Sequence, residues 1–307
     1  MTAEVTNGFE HLLAWCVSEL GPVEEASDHS KSHTGDPVVT CRLRAASGYC
    51  YLKTHRDPSY WEAEVHAYEQ WSVAFGDFAP RLLAVRGQEP LALVVSELAG
   101  ECLENVQLPP PQERAVWRAA GQAVARLHDL AVGDYFGPCH RDGAPAGDAI
   151  RDAREYMTAE LEDVADRGRG MGYLSDADLA VVQAGLNLVP SFEGESPVPC
   201  HRDYCPANWV VSRDGVWAGV IDFEFSQWNV RATDFTRYPD WDWLARPDLV
   251  EAFFEGYGRL TPEQEQQRLV AHVRYALTAV VWGRDNAYHG FAEEGHNALK
   301  HLGKLLG

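Results

Sequence analysis

Residues 200–235 read CHRDYCPANWVVSRDGVWAGVIDFEFSQWNVRATDF. A polar loop opens the stretch with His201-x-Asp203-x-x-x-x-Asn208. Two short apolar runs follow, Trp209 to Ser212 and Val216 to Phe223, on either side of Arg213-Asp214-Gly215, which is a β-hairpin signal. The second run ends in Ile221-Asp222-Phe223-Glu224, and Asp222 stands 19 positions after Asp203. A hairpin folds the chain back on itself, so the spacing gathers Asp203, Asn208 and Asp222 at one end of a short two-stranded unit.

That combination suits phosphoryl transfer. The chemistry needs one carboxylate facing the attacking hydroxyl and oxygen ligands for Mg²⁺ beside the β- and γ-phosphates. The loop supplies Asp203 and Asn208, and the strand end supplies Asp222. A lone three-residue match arises by chance in on the order of 1% of chains this long. Joined to Asp222 across a hairpin, chance explains it poorly.

Outward from this stretch, the first part of the chain reads as strands around one helix. Val38 to Leu43 and Tyr49 to Thr54 are β-type runs joined at Ala45 to Gly48. A helix after Pro58 carries Trp61, Val65 and Tyr68 at helical spacing. Strands follow at Arg81 to Val85 and Leu91 to Glu97. Leu98 to Glu101 breaks the pattern, and Pro109 to Pro111 postpones any helix until just after it. The expected division is therefore residues 1–98 and 99–307. The second part is mainly helical: from Gln112 to near Gly133, from about Asp148 to Arg167, and from the capping box Ser175-x-x-Asp178 to Pro190. A last long helix opens at Thr261-Pro-Glu-Gln264, a second capping box with proline at the first helical position. The fold class is α+β.

Composition bounds the partners. The 307 residues carry 26 Lys+Arg against 46 Asp+Glu, a net charge of −20. Such a field disfavours nucleic acid and anionic membrane as primary partners and suits a cationic small molecule. No run reaches the roughly 20 apolar residues that span a bilayer. The N-terminal stretch has Glu4, Glu10 and Glu19 and no basic region, unlike a secretory signal. Seven scattered cysteines without CxxC spacing read as reduced thiols of a cytoplasmic protein, not a disulfide frame or zinc site.

With these motifs placed, the chain resembles the aminoglycoside phosphotransferase and choline kinase family. Ala123-Val124-Ala125-Arg126-Leu127-His128 is similar to the close of that family's first large-lobe helix, and Val94 to Leu98 with Gly100 to its inter-lobe hinge. The likeness covers roughly residues 22–300 and is strongest in the second half. It implies a bilobal protein-kinase-like fold: a small β-rich N-lobe (1–98) for the nucleotide and a larger, mainly helical C-lobe (99–307) for catalysis and substrate.

The resemblance also implies roles. Asp203 would be the catalytic base, and Asn208 and Asp222 would hold Mg²⁺. Lys53 would contact the α- and β-phosphates of ATP or GTP, paired with Glu64, although Glu62 and Glu69 compete for that place on nearby turns. Main-chain groups of Ser96, Glu97 and Leu98 would meet the base. His201 and Asp234 would brace the loop. No G-x-G-x-x-G separates the first strands; Ser27 to Gly35 stands where a phosphate loop belongs, with Ser30, Ser32 and Thr34 as its polar groups.

Neither Lys at position 205 (Cys205 is there) nor an Ala-Pro-Glu segment follows, which argues against a protein kinase. Substrate candidates are Glu224, Asp240, Trp241, Asp242, Trp282 and Asp285, aromatics interleaved with carboxylates. The expected activity is transfer of a nucleotide γ-phosphate to a hydroxyl of an antibiotic of aminoglycoside, peptide or nucleoside type, giving resistance by inactivation. The alternative is a metabolic kinase for choline, ethanolamine or a similar amino alcohol, suggested by Asp222-Phe-Glu224-Phe-Ser226 and Asn229. A non-catalytic nucleotide-binding scaffold fits poorly, since Lys53, Asp203, Asn208 and Asp222 are all present.

Overall fold

A computed structural model of the chain describes residues 3–28, 40–236 and 242–307. The N-terminal part is built on a five-stranded antiparallel sheet in the order β1-β2-β3-β5-β4. These strands are β1 (Val23–Asp28), β2 (Thr40–Ala45), β3 (Gly48–His55), β4 (Leu82–Arg86) and β5 (Leu91–Ser96). The expected hairpin is β2 and β3, paired from Thr40↔Lys53 to Ala45↔Gly48.

The register of β3 on β5 divides the sheet between two cores. Leu52 faces Val94, and Thr54 faces Ala92. Leu52, Val94 and Ala92 join Cys16, Cys41 and Leu43 in a cluster under helix α1 (Ala3–Leu20). The alternate residues, Tyr51 opposite Val95 and Lys53 opposite Leu93, look the other way, toward the main core. With side chains alternating at period two, the same register that buries Leu52 turns Lys53 into the interior cleft.

Helix α1 is not among the expected elements, although Leu12, Cys16 and Leu20 recur one turn apart. Helix α2 (Pro58–His66) starts where Asp57 caps it, accepting a hydrogen bond from Ser59 N at 2.9 Å. The chain then continues through a wider turn, Ala67–Trp71.

The C-terminal part is helical: α3 (Pro110–His128), α4 (Ala153–Gly170), α5 (Asp176–Leu188), α6 (Asp242–Ala245), α7 (Pro247–Tyr257), α8 (Pro262–Asp285) and α9 (His289–Leu306). Both expected capping boxes are formed, Ser175 with Asp178 and Thr261 with Gln264. Helix α3 begins at Pro110, earlier than Gln112, because prolines at the first helical positions give up only N–H groups that have no helical partner. It ends at His128, short of Gly133. Helices α3 and α7 pack at glycines: a Cβ on Gly121 would stand 2.1 Å from Phe253 O, and one on Gly256 2.0 Å from Arg118 O.

Short strands complete the part: β6 (Glu101–Cys102) with β8 (Trp209–Val211) and β9 (Trp217–Val220), and β7 (Val198–Cys200) with β10 (Gln227–Asn229). The hairpin over Arg213-Asp214-Gly215 is thus real, with strands shorter than expected. A β-rich N-terminal sheet followed by a helical C-terminal part is the expected α+β, kinase-like arrangement.

Candidate active site

The loop between β7 and β8 carries His201, Asp203 and Asn208, and Asp222 follows β9. Buried hydrogen bonds set the loop's shape. Asp234 accepts from His201 N at 2.9 Å and Arg202 N at 2.5 Å, and its Oδ2 lies 3.1 Å from His128 Nε2. His201 Nδ1 accepts from Asp203 N at 3.2 Å, which makes Nε2 the protonated nitrogen that donates to Ile221 O at 3.0 Å. His201 and Asp234 are therefore braces. Asn208 donates through Nδ2 to Asp203 O at 2.9 Å and to Asp203 Oδ2 at 2.8 Å.

Two non-glycine residues of this region have left-handed backbones, Arg202 (φ 65°) and Asp222 (φ 73°). Such a conformation costs of order 1 kcal/mol and persists where surrounding contacts enforce it. Here it aims the Asp222 carboxylate at the sheet. Lys53 Nζ lies 2.6 Å from Asp222 Oδ1 and 2.6 Å from Glu64 Oε1. Glu64 is fully buried, and its other oxygen meets His55 Nε2 at 2.7 Å. Of the three glutamates in competition, Glu64 faces Lys53; Glu62 bonds His140 and Glu69 bonds Arg141.

The charges respond to this crowding. Burial pulls the Lys53 pKa down, but Asp222, Glu64 and Glu224 outweigh it and hold the ammonium well above the ordinary lysine value. Burial likewise opposes ionisation of Asp222, and the neighbouring Lys53 overcomes it, keeping that carboxyl below its usual range. Glu224, buried and beside the Asp222 charge, is pushed up to about 8.

These groups line one cleft of about 430 Å³, shared by Tyr51, Lys53, Val95, Ser96, Leu98, Asn208, Ile221, Asp222 and Glu224. Two larger surface hollows, about 860 and 720 Å³, contain none of Lys53, Asp203, Asn208 or Asp222. Chemistry, not size, singles out the cleft. Its lining joins apolar side chains, Val95, Leu98, Val210 and Ile221, to a few convergent polar groups, Lys53, Asn208, Asp222 and Glu224, the combination that marks a ligand site. Ser96 N already bonds Arg81 O and Glu97 N bonds Tyr49 O, so those two donors serve the sheet. The Glu97 side chain turns to Arg42, at 2.7 Å, instead of lining the cleft.

Metal fit rests on donor chemistry. Asp222 offers carboxylate oxygens, and Asn208, bonded to Asp203 through Nδ2, leaves Oδ1 as its donor atom; hard oxygen donors suit Mg²⁺. Two other groups, His55–Glu64–Glu224 and His128–Cys200–Asp234, bring ligand-type atoms within 4.8 Å of one another. In each, a short His–carboxylate contact is already made, which suits a structural brace.

The substrate candidates divide. Glu224 is in the cleft. Trp282 packs on Tyr288 and Phe291, and Asp285 pairs with Arg167 and Tyr173 where α8 ends; neither lines the cleft. Asp240 and Trp241, with Ser30, Ser32 and Thr34, lie outside the described residues, and so does the Asp242 side chain. Trp243 is core, stacked edge-on to Trp117 and Phe253.

Not among the sequence candidates are Arg202 and Arg274, which share Glu160 at 3.7 and 2.7 Å beside the loop, and the exposed pair Tyr60–Phe225 with ring centroids 5.3 Å apart. The Arg at 202, inside the Asp203 motif, was the available signal. Among the described residues, no helix is long and apolar enough to cross a membrane.

Known proteins share this fold. The profile of the phosphotransferase enzyme family (APH) matches residues 40–269. The crystal structure of the aminoglycoside phosphotransferase APH(4)-Ia superposes with a TM-score of 0.72 at 16% identity, covering 97% of this chain and 98% of that one. A thermostable mutant of the same enzyme, in a ternary complex with ADP and hygromycin B, gives 0.69 at 16% identity over 95% and 97%. The GDP and kanamycin complex of APH(2")-IIia gives 0.68 at 10% identity over 95% and 98%. No curated protein matches the sequence. The profile spans most of the chain, so the chain belongs to the phosphotransferase enzyme family.

Proposed function

We propose that the protein is a Mg²⁺-dependent O-phosphotransferase that moves the γ-phosphate of ATP or GTP to a hydroxyl of a small, cationic, hydroxylated antibiotic. The observation that carries this reading is Lys53 bridging Glu64 and Asp222 in the cleft that also holds Asn208.

In this account Lys53 receives the α- and β-phosphates while Glu64 fixes its position. Asp222 and Asn208 hold Mg²⁺, which neutralises the phosphate charge. Asp203 accepts a hydrogen bond from the substrate hydroxyl and takes its proton late, because a loose transition state needs positioning more than a strong base. The hydrogen bond from Asn208 Nδ2 holds the Asp203 carboxylate in place for that task. Beside Glu224, Tyr60 and Phe225 present two exposed aromatic rings, and aromatic faces suit an organic cation. A cationic acceptor also matches the net charge of −20. The division at residues 98/99 would separate the nucleotide-binding from the substrate-binding part, in a cytoplasmic resistance enzyme.

The test is purified protein with Mg²⁺ and γ-labelled ATP or GTP against a panel of aminoglycosides, peptide and nucleoside antibiotics, choline and ethanolamine. Phosphate on an antibiotic supports the reading. Turnover of choline or ethanolamine alone replaces it with a metabolic kinase.

A further inference from the structure

Helix α2 shows two working sides. Glu64 points to Lys53 and His55. Glu62, His66 and Glu69, spaced so that they recur along one side of the helical path, all meet the loop 138–147. Glu62 Oε2 lies 2.7 Å from His140 Nδ1. Glu69 takes a two-pronged contact from Arg141, at 2.6 Å from Nη2 and 3.2 Å from Nε. Between them His66, 6% exposed, donates through Nδ1 to Arg141 O at 3.0 Å.

The loop is built before it is used. His140 N bonds Ala144 O at 2.8 Å, Gly143 N bonds His140 O at 2.9 Å, and Tyr135 OH donates to Gly143 O at 2.8 Å. Gly143 has φ +86°, and a Cβ there would come 3.3 Å from His66 Cε1, so both the turn and the close approach favour glycine. At its base, Gly137 N donates to Trp228 O at 2.8 Å. Trp228 lies in β10, a few residues beyond Asp222. One ordered loop therefore ties the helix that carries Glu64 to the strand that follows Asp222.

We propose that the 138–147 loop is a positioning clamp: His140 and Arg141 hold α2 at the height where Glu64 meets Lys53, and thereby set nucleotide affinity. This rests on the reading of Lys53 and Glu64 as the phosphate-binding pair. Exposed ion pairs are individually small, so the clamp tunes the site rather than creating it.

The experiment measures binding of N-methylanthraniloyl-ADP with Mg²⁺ to the full chain. Arg141→Ala, at an exposed position that leaves the core intact, is expected to weaken binding roughly threefold to tenfold. The charge swap Glu69→Arg with Arg141→Glu should return affinity to within about twofold of wild type. In a Glu64→Gln background, Arg141→Ala should have under about twofold effect, because the clamp then has no pair to position. An Arg141→Ala protein that binds like wild type overturns the clamp, as does a loss that persists in full beside Glu64→Gln. If Lys53→Ala and Glu64→Gln themselves leave binding unchanged, the phosphate-pair reading falls and the clamp with it. If they weaken binding and Arg141→Ala does not, only the clamp falls.

Discussion

Lys53 Nζ stands 2.6 Å from Asp222 Oδ1, although 169 positions of chain separate them. The contact joins β3 of the N-terminal sheet to the segment after β9. It exists because two local rules agree in space: the alternation of β3, which turns Lys53 inward, and the left-handed backbone at Asp222, which turns its carboxylate toward the sheet.

Removing the cation should be felt in stability as well as binding. Lys53→Ala leaves Glu64 buried with His55 as its remaining partner, and breaking a buried pair on one side costs about 3–5 kcal/mol. Lower denaturant midpoints together with lost nucleotide binding are expected, measured by urea titration and fluorescence. Unchanged values for both would show that the bridge contributes nothing.

Asp222→Ala should abolish Mg²⁺-dependent nucleotide binding while leaving the Asp234-braced loop folded. Titration calorimetry with and without Mg²⁺ checks this. A metal dependence equal to that of wild type would contradict the assignment of Asp222 as a ligand.

Glu224 gives a pH signature. Its folded-state pKa, near 8, lies above the ordinary glutamate value of 4.5, so the folded protein binds the extra proton between those limits. Stability from this group is then present at low pH and is lost as pH rises toward 8. Glu224→Gln should raise the melting temperature more at pH 9 than at pH 5. Equal gains at both would refute the shift.

His272 acts in the opposite direction. Burial, with Arg268 and His301 nearby, holds its pKa well below 6.5, so the unfolded chain binds the proton that the folded chain refuses. Its contribution is intact above that ordinary value and is lost as pH falls below it, at up to about 1.4 kcal/mol per pH unit. His272→Leu should flatten the acid limb of a stability–pH curve.

Much of the site was legible because it is local. The spacing of His201, Asp203 and Asn208, and the hairpin that returns Asp222 to them, depend on short stretches of chain with strong turn signals. Both capping boxes were legible for the same reason. Helix α1 was not, because its apolar positions gain meaning only from the outer face of a sheet formed later in the chain. Pro110 was misjudged where a breaker inside a helix is also a good first residue. Composition picks out Trp282 and Asp285 but not their partners Tyr288, Phe291, Arg167 and Tyr173, nor the pairing of Arg274, earlier on the same helix, with Glu160. The contacts of the 138–147 loop were not legible, since they join residues such as Glu69 and Arg141, 72 positions apart.

The most direct measurement compares wild type with Asp203→Ala for transfer of labelled γ-phosphate to the acceptor found in the panel, alongside Mg-nucleotide binding by both. With Asp203 as the base, transfer is expected to fall by several orders of magnitude, roughly 10³-fold or more, with nucleotide affinity retained. Transfer at comparable rates by both proteins would contradict it.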